Sequence, residues 1–185
     1  MKIYNLFLFI LATIFGCASL TEEQCKKGDW HALGLLDGKK GRRSVQVDQH
    51  IRACQKYQIS LDEKIYNDGR LKGLSQYCTK ENGYKVGFSG KRYTNVCRGT
   101  SEKVFLKMYH LGKKTHLVNQ ELKENQRDLK VKRQDLGKIS GNNSDSAELK
   151  SDIKQLEQEE ELLKNKLIFL RGQAPYRPED IVDLF

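Results

Sequence analysis

Residues 66–78 read Tyr-Asn-Asp-Gly-Arg-Leu-Lys-Gly-Leu-Ser-Gln-Tyr-Cys, with Tyr66, Gly69 and Gly73 at steps of three and four. Residues at such steps lie on one side of an α-helix. A glycine inside a helix costs up to about 1 kcal/mol relative to alanine, so close packing must offset that cost. The pattern therefore predicts a short helix whose glycines let a neighbouring backbone approach while aromatic side chains fill the space beside it.

The same mixture of glycines and aromatic residues extends on both sides of this stretch. Ten of the fifteen glycines lie between residues 28 and 99. Two further series have similar steps: Trp30, Gly34, Gly38 and Gly41, and then Tyr84, Gly87, Gly90 and Tyr93. Asp29 and Asp62 stand where helix N-caps are expected. Strand alternation is not evident; Asn82-Gly83 is compatible with a hairpin turn, but its flanks lack a period of two. We expect a domain of short helices.

The N-terminus is typical of an export signal. The ten residues Leu6–Phe15 are apolar except for Thr13. As a helix they would span about 15 Å, half of the roughly 30 Å hydrocarbon core of a membrane. We therefore interpret residues 1–17 as a signal peptide rather than a spanning helix. Ile14-Phe15-Gly16-Cys17 resembles the lipobox of bacterial lipoproteins, which predicts a lipid on Cys17. Ordinary cleavage just beyond it and a retained anchor are the alternatives.

If Cys17 carries the lipid, an even number of cysteines remains: Cys25, Cys54, Cys78 and Cys97. In a small exported domain, an even number indicates two disulfides. Three pairings are possible, and the sequence leaves them open. We favour Cys25–Cys54 and Cys78–Cys97, because each pair brackets one motif block and closes a short loop, a constraint that contributes roughly 3–4 kcal/mol. Zinc, with His31 and His50 as extra ligands, is the alternative. No C-x-x-C or H-x-x-H pair supports it, so we expect no metal.

Five motifs follow one another in this part of the chain. They are Cys25-x3-Asp29-Trp30, Gly34-x2-Asp37-Gly38-x2-Gly41, His50-x3-Cys54, Tyr66-x2-Gly69-Arg70-x2-Gly73-Leu74-x2-Tyr77-Cys78 and Asn82-Gly83-Tyr84-x2-Gly87-x2-Gly90-x2-Tyr93-x3-Cys97. In this order they resemble the domain of unknown function 2799 family of bacterial lipoproteins, over about residues 25–112. The resemblance implies export, but it assigns no catalytic or binding residues to this chain.

From residue 102 onward the composition changes to Leu, Lys, Glu and Gln, with a period of seven. The expected core positions are Leu111, Val118, Asn125, Lys132 and Ile139, with Thr115, Leu122, Leu129 and Leu136. After a turn at residues 140–144 the period restarts with Leu149, Leu156, Leu163 and Leu170, and with Ile153, Glu160 and Leu167. This pattern predicts an antiparallel coiled-coil hairpin. We therefore divide the chain into a signal peptide (1–17), a four-cysteine helical domain (18–100), the hairpin (101–172) and a C-terminal tail (173–185).

The sequence contains no recognisable catalytic motif, neither G-x-S-x-G nor a P-loop nor H-E-x-x-H. We therefore expect no catalysis and no cofactor. The candidate binding site is a polar groove formed by Trp30, Asp37, His50, Arg70 and Tyr77. An enzyme or ligand-binding protein that acts through this groove on cell-wall or surface polymers is the alternative function.

The positive charge is concentrated in the cysteine-containing part of the chain. Residues 25–100 carry 16 Lys and Arg against 7 Asp and Glu, whereas residues 101–185 carry 16 against 15. In an exported protein such an excess favours anionic lipids or cell-wall polymers over nucleic acid. We expect a periplasm-facing lipoprotein of the cell envelope that works in structure, tethering or protein interaction. Its partners would be the membrane through the lipid and another envelope protein through the coiled coil. Ala18, after the lipidated cysteine, resembles lipoproteins sent to the outer membrane.

Overall fold

The computed structural model describes residues 20–139 and 144–175. Within these ranges the chain forms seven helices and no strand: α1 Glu22–Lys27, α2 Trp30–Lys39, α3 Gln46–Gln55, α4 Glu63–Tyr77, α5 Lys80–Phe88, α6 Gly99–Leu136 and α7 Ser144–Gly172. The mainly α fold is therefore confirmed. The signal peptide with Cys17, the turn at 140–143 and the tail from residue 176 lie outside the described residues.

Local side-chain chemistry sets where the helices begin. The Asp29 carboxylate accepts a hydrogen bond from the Ala32 amide at the start of α2. The Asp62 carboxylate accepts two amide hydrogen bonds at the start of α4. Both predicted N-caps are thus confirmed. Thr79 caps α5 in the same way, and Asn82-Gly83 lies inside this helix rather than in a hairpin turn.

The glycines bring α2 against α4 at backbone distance. A Cβ on Gly38 would lie 2.8 Å from the Gly73 Cα, with the Arg70 carbonyl oxygen closer still. A Cβ on Gly73 would lie 2.7 Å from the Lys39 amide nitrogen, with the Leu35 carbonyl oxygen closer still. The predicted role of the glycines is therefore confirmed: any side chain here would separate the two helices.

The same helix pair occurs a second time, formed by α5 and α6. A Cβ on Gly87 would lie 2.8 Å from the Lys113 amide, and one on Gly112 would lie 2.8 Å from the Phe88 amide. Gly83, Gly87 and Gly90 repeat the spacing of Gly34, Gly38 and Gly41. The last glycine of each series has a positive φ, and its missing side chain leaves room for a ring of the partner helix, Tyr77 in the first pair and His116 in the second. The domain is therefore built from two helix pairs that share the same glycine spacing and the same close backbone packing.

Two disulfides and two apolar clusters hold the domain together. Cys25–Cys54 joins α1 to α3, and Cys78–Cys97 joins the end of α4 to the segment before α6. These are the pairings that the short loops favour. The fully buried ring of Phe105 is the centre of the larger cluster; its centroid lies 5.3 Å from that of Tyr77 and 4.8 Å from that of Tyr93. Such aromatic contacts add to the free energy gained by burial alone.

Helix α6 belongs to both the domain and the hairpin. Its first turns, with Phe105, Tyr109 and Gly112, pack in the domain, whereas its later turns pair with α7. Residue 100, where the sequence divides the domain from the hairpin, therefore lies at the start of a continuous helix whose first part completes the domain core.

The hairpin is antiparallel, as predicted. Successive contacts run in opposite directions along the two helices: Glu121–Lys166, then Gln126–Glu160, then Lys132–Asp152. Every predicted core position within the described residues is buried or half-buried, and the most buried apolar ones are Val118, Leu129 and Leu170. Beyond Thr115, α6 continues to Leu136 and extends about 30 Å from the domain.

Candidate binding site

A buried polar cluster connects α2, α3 and α4. The Asp37 Oδ2 accepts hydrogen bonds from His50 Nε2 at 2.7 Å and from the Tyr66 hydroxyl at 2.8 Å. Arg42 Nε lies 3.4 Å from the other carboxylate oxygen. Only 3% of Asp37, 6% of His50 and none of Tyr66 is exposed. We call these four residues the Asp37 cluster.

The cluster stabilises a buried carboxylate. Burial alone would raise the pKa of Asp37, but the hydrogen bonds from His50 and Tyr66 and the charge interactions with His50 and Arg42 outweigh it. The pKa of Asp37 is therefore lowered. Because an ionised carboxylate only accepts hydrogen bonds, His50 Nε2 carries a proton. Burial and the hydrogen bond to Asp37 raise the pKa of the Tyr66 phenol, which keeps this hydroxyl a donor.

The structure brings some of the predicted groove residues together and separates the others. Asp37 and His50 are in direct contact, and Arg70 joins their surroundings by donating a hydrogen bond to the Arg42 carbonyl. Trp30 instead packs in the apolar cluster around the Cys25–Cys54 disulfide. Tyr77 lies beside Gly41 and lines a different cavity. The predicted set therefore divides among a closed polar cluster, the apolar cluster with Trp30, and an open cleft that Tyr77 lines.

Two members of the Asp37 cluster, Tyr66 and Arg42, are absent from the groove that the sequence predicts. In the sequence Tyr66 fits the helical packing pattern, and only the tertiary structure shows its hydroxyl meeting Asp37. No pattern in the sequence pairs Arg42 with Asp37, because their contact depends on the conformation of the turn that ends α2.

The second helix pair has apolar residues in place of Asp37 and Tyr66. The amide of Arg42 bonds back to the Asp37 carbonyl, and in the second pair the amide of Lys91 bonds back to Val86 in the same way. Likewise, Gly34 faces the Tyr66 backbone, and Gly83 faces that of Phe105. Val86 and Phe105 thus take the places of Asp37 and Tyr66. Glycine packing of the helices does not need the polar cluster, so the cluster has a separate role.

An open cleft lies where the hairpin leaves the domain, and its volume is about 940 Å³. It is bounded by the end of α2, by α5 with the loop that follows it, and by one face of α6 from His116 to Arg127. We call it the basic cleft because its lining includes seven cationic side chains and a single acidic one, Glu124. The cationic residues are Lys39, Lys40, Lys85, Lys91, Arg92, Lys123 and Arg127.

The cations of the basic cleft are exposed and form no ion pair with any other described residue. Within the described residues, no carboxylate lies within 4 Å of any of the seven, and Glu124 also forms no ion pair. In the hairpin, by contrast, Lys132 and Arg133 each contact a carboxylate of α7 at 2.7 Å. The cleft therefore concentrates positive charge that the described part of the chain does not neutralise by ion pairs.

Hydrogen bonds hold the walls of the basic cleft in place. The Thr94 hydroxyl donates to the Gly41 carbonyl at 2.9 Å, which fastens the loop after α5 to the end of α2. His116 Nδ1 donates to the Phe88 carbonyl at 2.8 Å, which fastens α6 to α5. Asn82 donates to the Tyr77 carbonyl at 2.8 Å. The cleft is consequently preformed by hydrogen bonds between its elements, two of which join residues 28 and 53 positions apart.

Residues 29–114 match the model of a family described as "Protein of unknown function (DUF2799)". This range includes both glycine-packed helix pairs and the domain wall of the basic cleft. No curated protein and no solved structure matches the chain. Among the described helices, none is both long and apolar enough to cross a membrane.

Proposed function

We propose that this chain, whose residues 29–114 form a domain of the DUF2799 family, is a cell-envelope lipoprotein that acts by binding and tethering rather than by catalysis. A lipid on Cys17 would attach it to the membrane, facing the periplasm, and the hairpin would dock another envelope protein. The two disulfides support an oxidising compartment.

The observation that carries this proposal is an apolar surface on the outer side of α7. Leu162, Ile168 and Phe169 are each about 70% exposed, whereas Leu163, Leu167 and Leu170 form the core against α6. Leu162 and Phe169 are seven residues apart and therefore lie on the same side of the helix, two turns from each other. Exposed apolar side chains that cluster in this way are typical of interaction surfaces.

An enzyme acting on surface polymers has less support from the geometry. The acid and base pair Asp37 and His50 is almost completely buried, and neither residue lines the basic cleft. A general acid or base must come within hydrogen-bonding reach of its substrate. The closed Asp37 cluster offers no such access.

Site-specific photo-crosslinking in the native envelope tests the docking surface. A photoreactive phenylalanine analogue would replace Phe169 or Leu162, and Leu71 serves as the matched control because it is 66% exposed but lies on α4 in the domain. We expect one discrete crosslinked partner from the two α7 positions and none from Leu71. Equal products from all three positions, or none from α7, would contradict docking through this surface.

The lipid anchor has a separate test. Mass spectrometry of the mature N-terminus should find a lipid-modified Cys17, and Cys17→Ser should abolish this modification. A mature chain that begins with an unmodified residue beyond Cys17 would rule out lipidation while leaving the docking surface to its own experiment.

A further inference from the structure

We propose that the basic cleft is a binding site for a phosphate-bearing saccharide. This inference goes beyond the docking function, since it concerns a different face of the protein. The basic cleft uses the side of α6 that carries Lys123 and Arg127, whereas Val118, Leu122 and Leu129 face α7. A partner on the hairpin and a ligand in the cleft can therefore be bound together.

The charges of the cleft favour an anionic ligand. Seven cations and one acid surround a single cavity, an excess of six positive charges in a chain whose net charge is +9. Cations from three separate elements line one space, and within the described residues no carboxylate lies within 4 Å of any of them, so a bound anion would relieve their mutual repulsion. Phosphate, with more than one charge and several acceptor oxygens, satisfies several lysines and arginines at once.

The neutral groups of the cleft favour a saccharide over a bare ion. Its lining includes the amides of Asn82, Asn119 and Gln120 and the hydroxyls of Ser89 and Thr94. The hydroxyls of Ser89 and Thr94 already donate to backbone carbonyls, so their oxygens are left as acceptors, and one amide hydrogen of Asn82 is likewise engaged. The amides of Asn119 and Gln120 have no hydrogen-bond partner within the described residues and can both donate and accept, as sugar hydroxyls require. A volume of about 940 Å³ is also far more than a phosphate ion occupies and lies within the range of pockets for small organic ligands.

Shape and compartment argue against the other polyanions. A flat membrane surface would contact a convex or planar basic face, whereas these cations line a concavity between the domain and α6. Nucleic acid is not the expected polyanion of an oxidising compartment, which the two disulfides indicate. A phosphorylated saccharide remains, either in a free chain or as the headgroup of a glycolipid.

Calorimetric titration of the full chain, purified in detergent, tests the proposal. The probes are a glucosamine disaccharide carrying two phosphates, the same disaccharide without phosphates, inorganic phosphate, a short single-stranded oligonucleotide, and vesicles containing phosphatidylglycerol. We expect the phosphorylated disaccharide to bind at least tenfold more tightly than any other probe. Offering the same headgroup as a glycolipid in vesicles distinguishes the two sources, because tighter binding in that form assigns the site to the lipid.

Charge-reversal variants locate the site. The pair Lys123→Glu with Arg127→Glu removes two cleft cations, and the matched pair Lys114→Glu with Lys130→Glu makes the same change in net charge at exposed α6 positions outside the cleft. The cleft pair should raise the Kd about tenfold or more, because each attraction becomes a repulsion. The matched pair should change it less than threefold, an effect of net charge alone.

Three results would overturn the proposal. Equal affinity for the disaccharide with and without phosphates would remove the anionic requirement. An equal loss in both charge-reversal pairs would show attraction to the overall charge rather than to the cleft. Tighter binding of the oligonucleotide or of phosphatidylglycerol vesicles would assign the surface to another class of polyanion. Because none of these measurements involves α7, they leave the docking proposal to its crosslinking test.

Discussion

Gly38→Ala provides the strictest test of the glycine-packed helix pairs. Two effects of the substitution oppose each other. Alanine is the better helix former by about 1 kcal/mol, so the change would stabilise an isolated helix. In the folded protein, however, the new methyl group would lie 2.8 Å from the Gly73 Cα and closer still to the Arg70 carbonyl oxygen. Ordinary contact begins at 3.4 Å.

The size of the packing effect follows from which atoms are in the way. They belong to the α4 backbone, so no side chain can rotate aside, and the two helices must separate by more than half an ångström. Overpacking of a well-filled interior costs about 1–3 kcal/mol, and more where relief requires a backbone shift. Packing should therefore outweigh helix propensity, and we expect Gly38→Ala to lower the free energy of unfolding by about 2 kcal/mol.

Urea titration followed by circular dichroism measures this change, with the m value checked for constancy. The second helix pair supplies a parallel test: Gly87→Ala meets the Lys113 amide at 2.8 Å and should cost a similar amount. Gly172→Ala is the control, because no described residue lies within 4 Å of its added Cβ, and it should be neutral or slightly stabilising. A Gly38→Ala protein as stable as the unsubstituted chain would refute the close packing of α2 on α4.

Three further predictions concern stability. The pKa of Asp37 is lowered in the folded protein, so its stabilising effect is complete above the unfolded-state pKa of about 3.9 and is lost as the pH falls through the lower folded-state pKa. Asp37→Asn should therefore lower the free energy of unfolding by about 2–4 kcal/mol at pH 7. It should also reduce the loss of stability at acid pH, as measured by urea titration at a series of pH values. Asn125 buries an oxygen that has no hydrogen-bond partner within the described residues, so Asn125→Leu should raise the melting temperature, with oligomeric state checked by size-exclusion chromatography. Replacing Cys78 and Cys97 together by Ser should lower the free energy of unfolding by about 3 kcal/mol, as should reduction of that disulfide.

Periodic and local features of this protein could be predicted from its sequence. The hairpin core follows from the seven-residue period, since Val118, Leu122 and Leu129 recur on one face of one helix. The caps at Asp29 and Asp62 are equally local, because each side chain bonds to amides within three residues of itself. The family resemblance over about residues 25–112 is confirmed by the family match over 29–114.

The binding site depends on contacts that no local pattern encodes. The excess of basic residues was visible in the composition, but the cleft is assembled from α2, α5 and α6, whose order along the chain does not reveal that Lys39, Lys91 and Arg127 border one cavity. The sequence predicts Tyr77 in the groove with Asp37, yet Tyr77 is the last residue of α4, lies beside Gly41 and lines the basic cleft. A pattern of residue types predicts a face of a helix; which faces meet is decided by tertiary packing.

The two helix pairs together explain what the Asp37 cluster does. Between α2 and α4 the chain inserts α3, whereas α5 and α6 are joined by residues 89–98 without a helix. His50 comes from α3, and Cys54 on the same helix is bonded to Cys25. In the pair that lacks an inserted helix, Asp37 is replaced by Val86. The cluster is therefore the polar attachment of α3 to the first pair and acts together with the nearby disulfide. This attachment accounts for the buried acid Asp37 and the buried base His50. We therefore assign ligand binding to the basic cleft rather than to the Asp37 cluster.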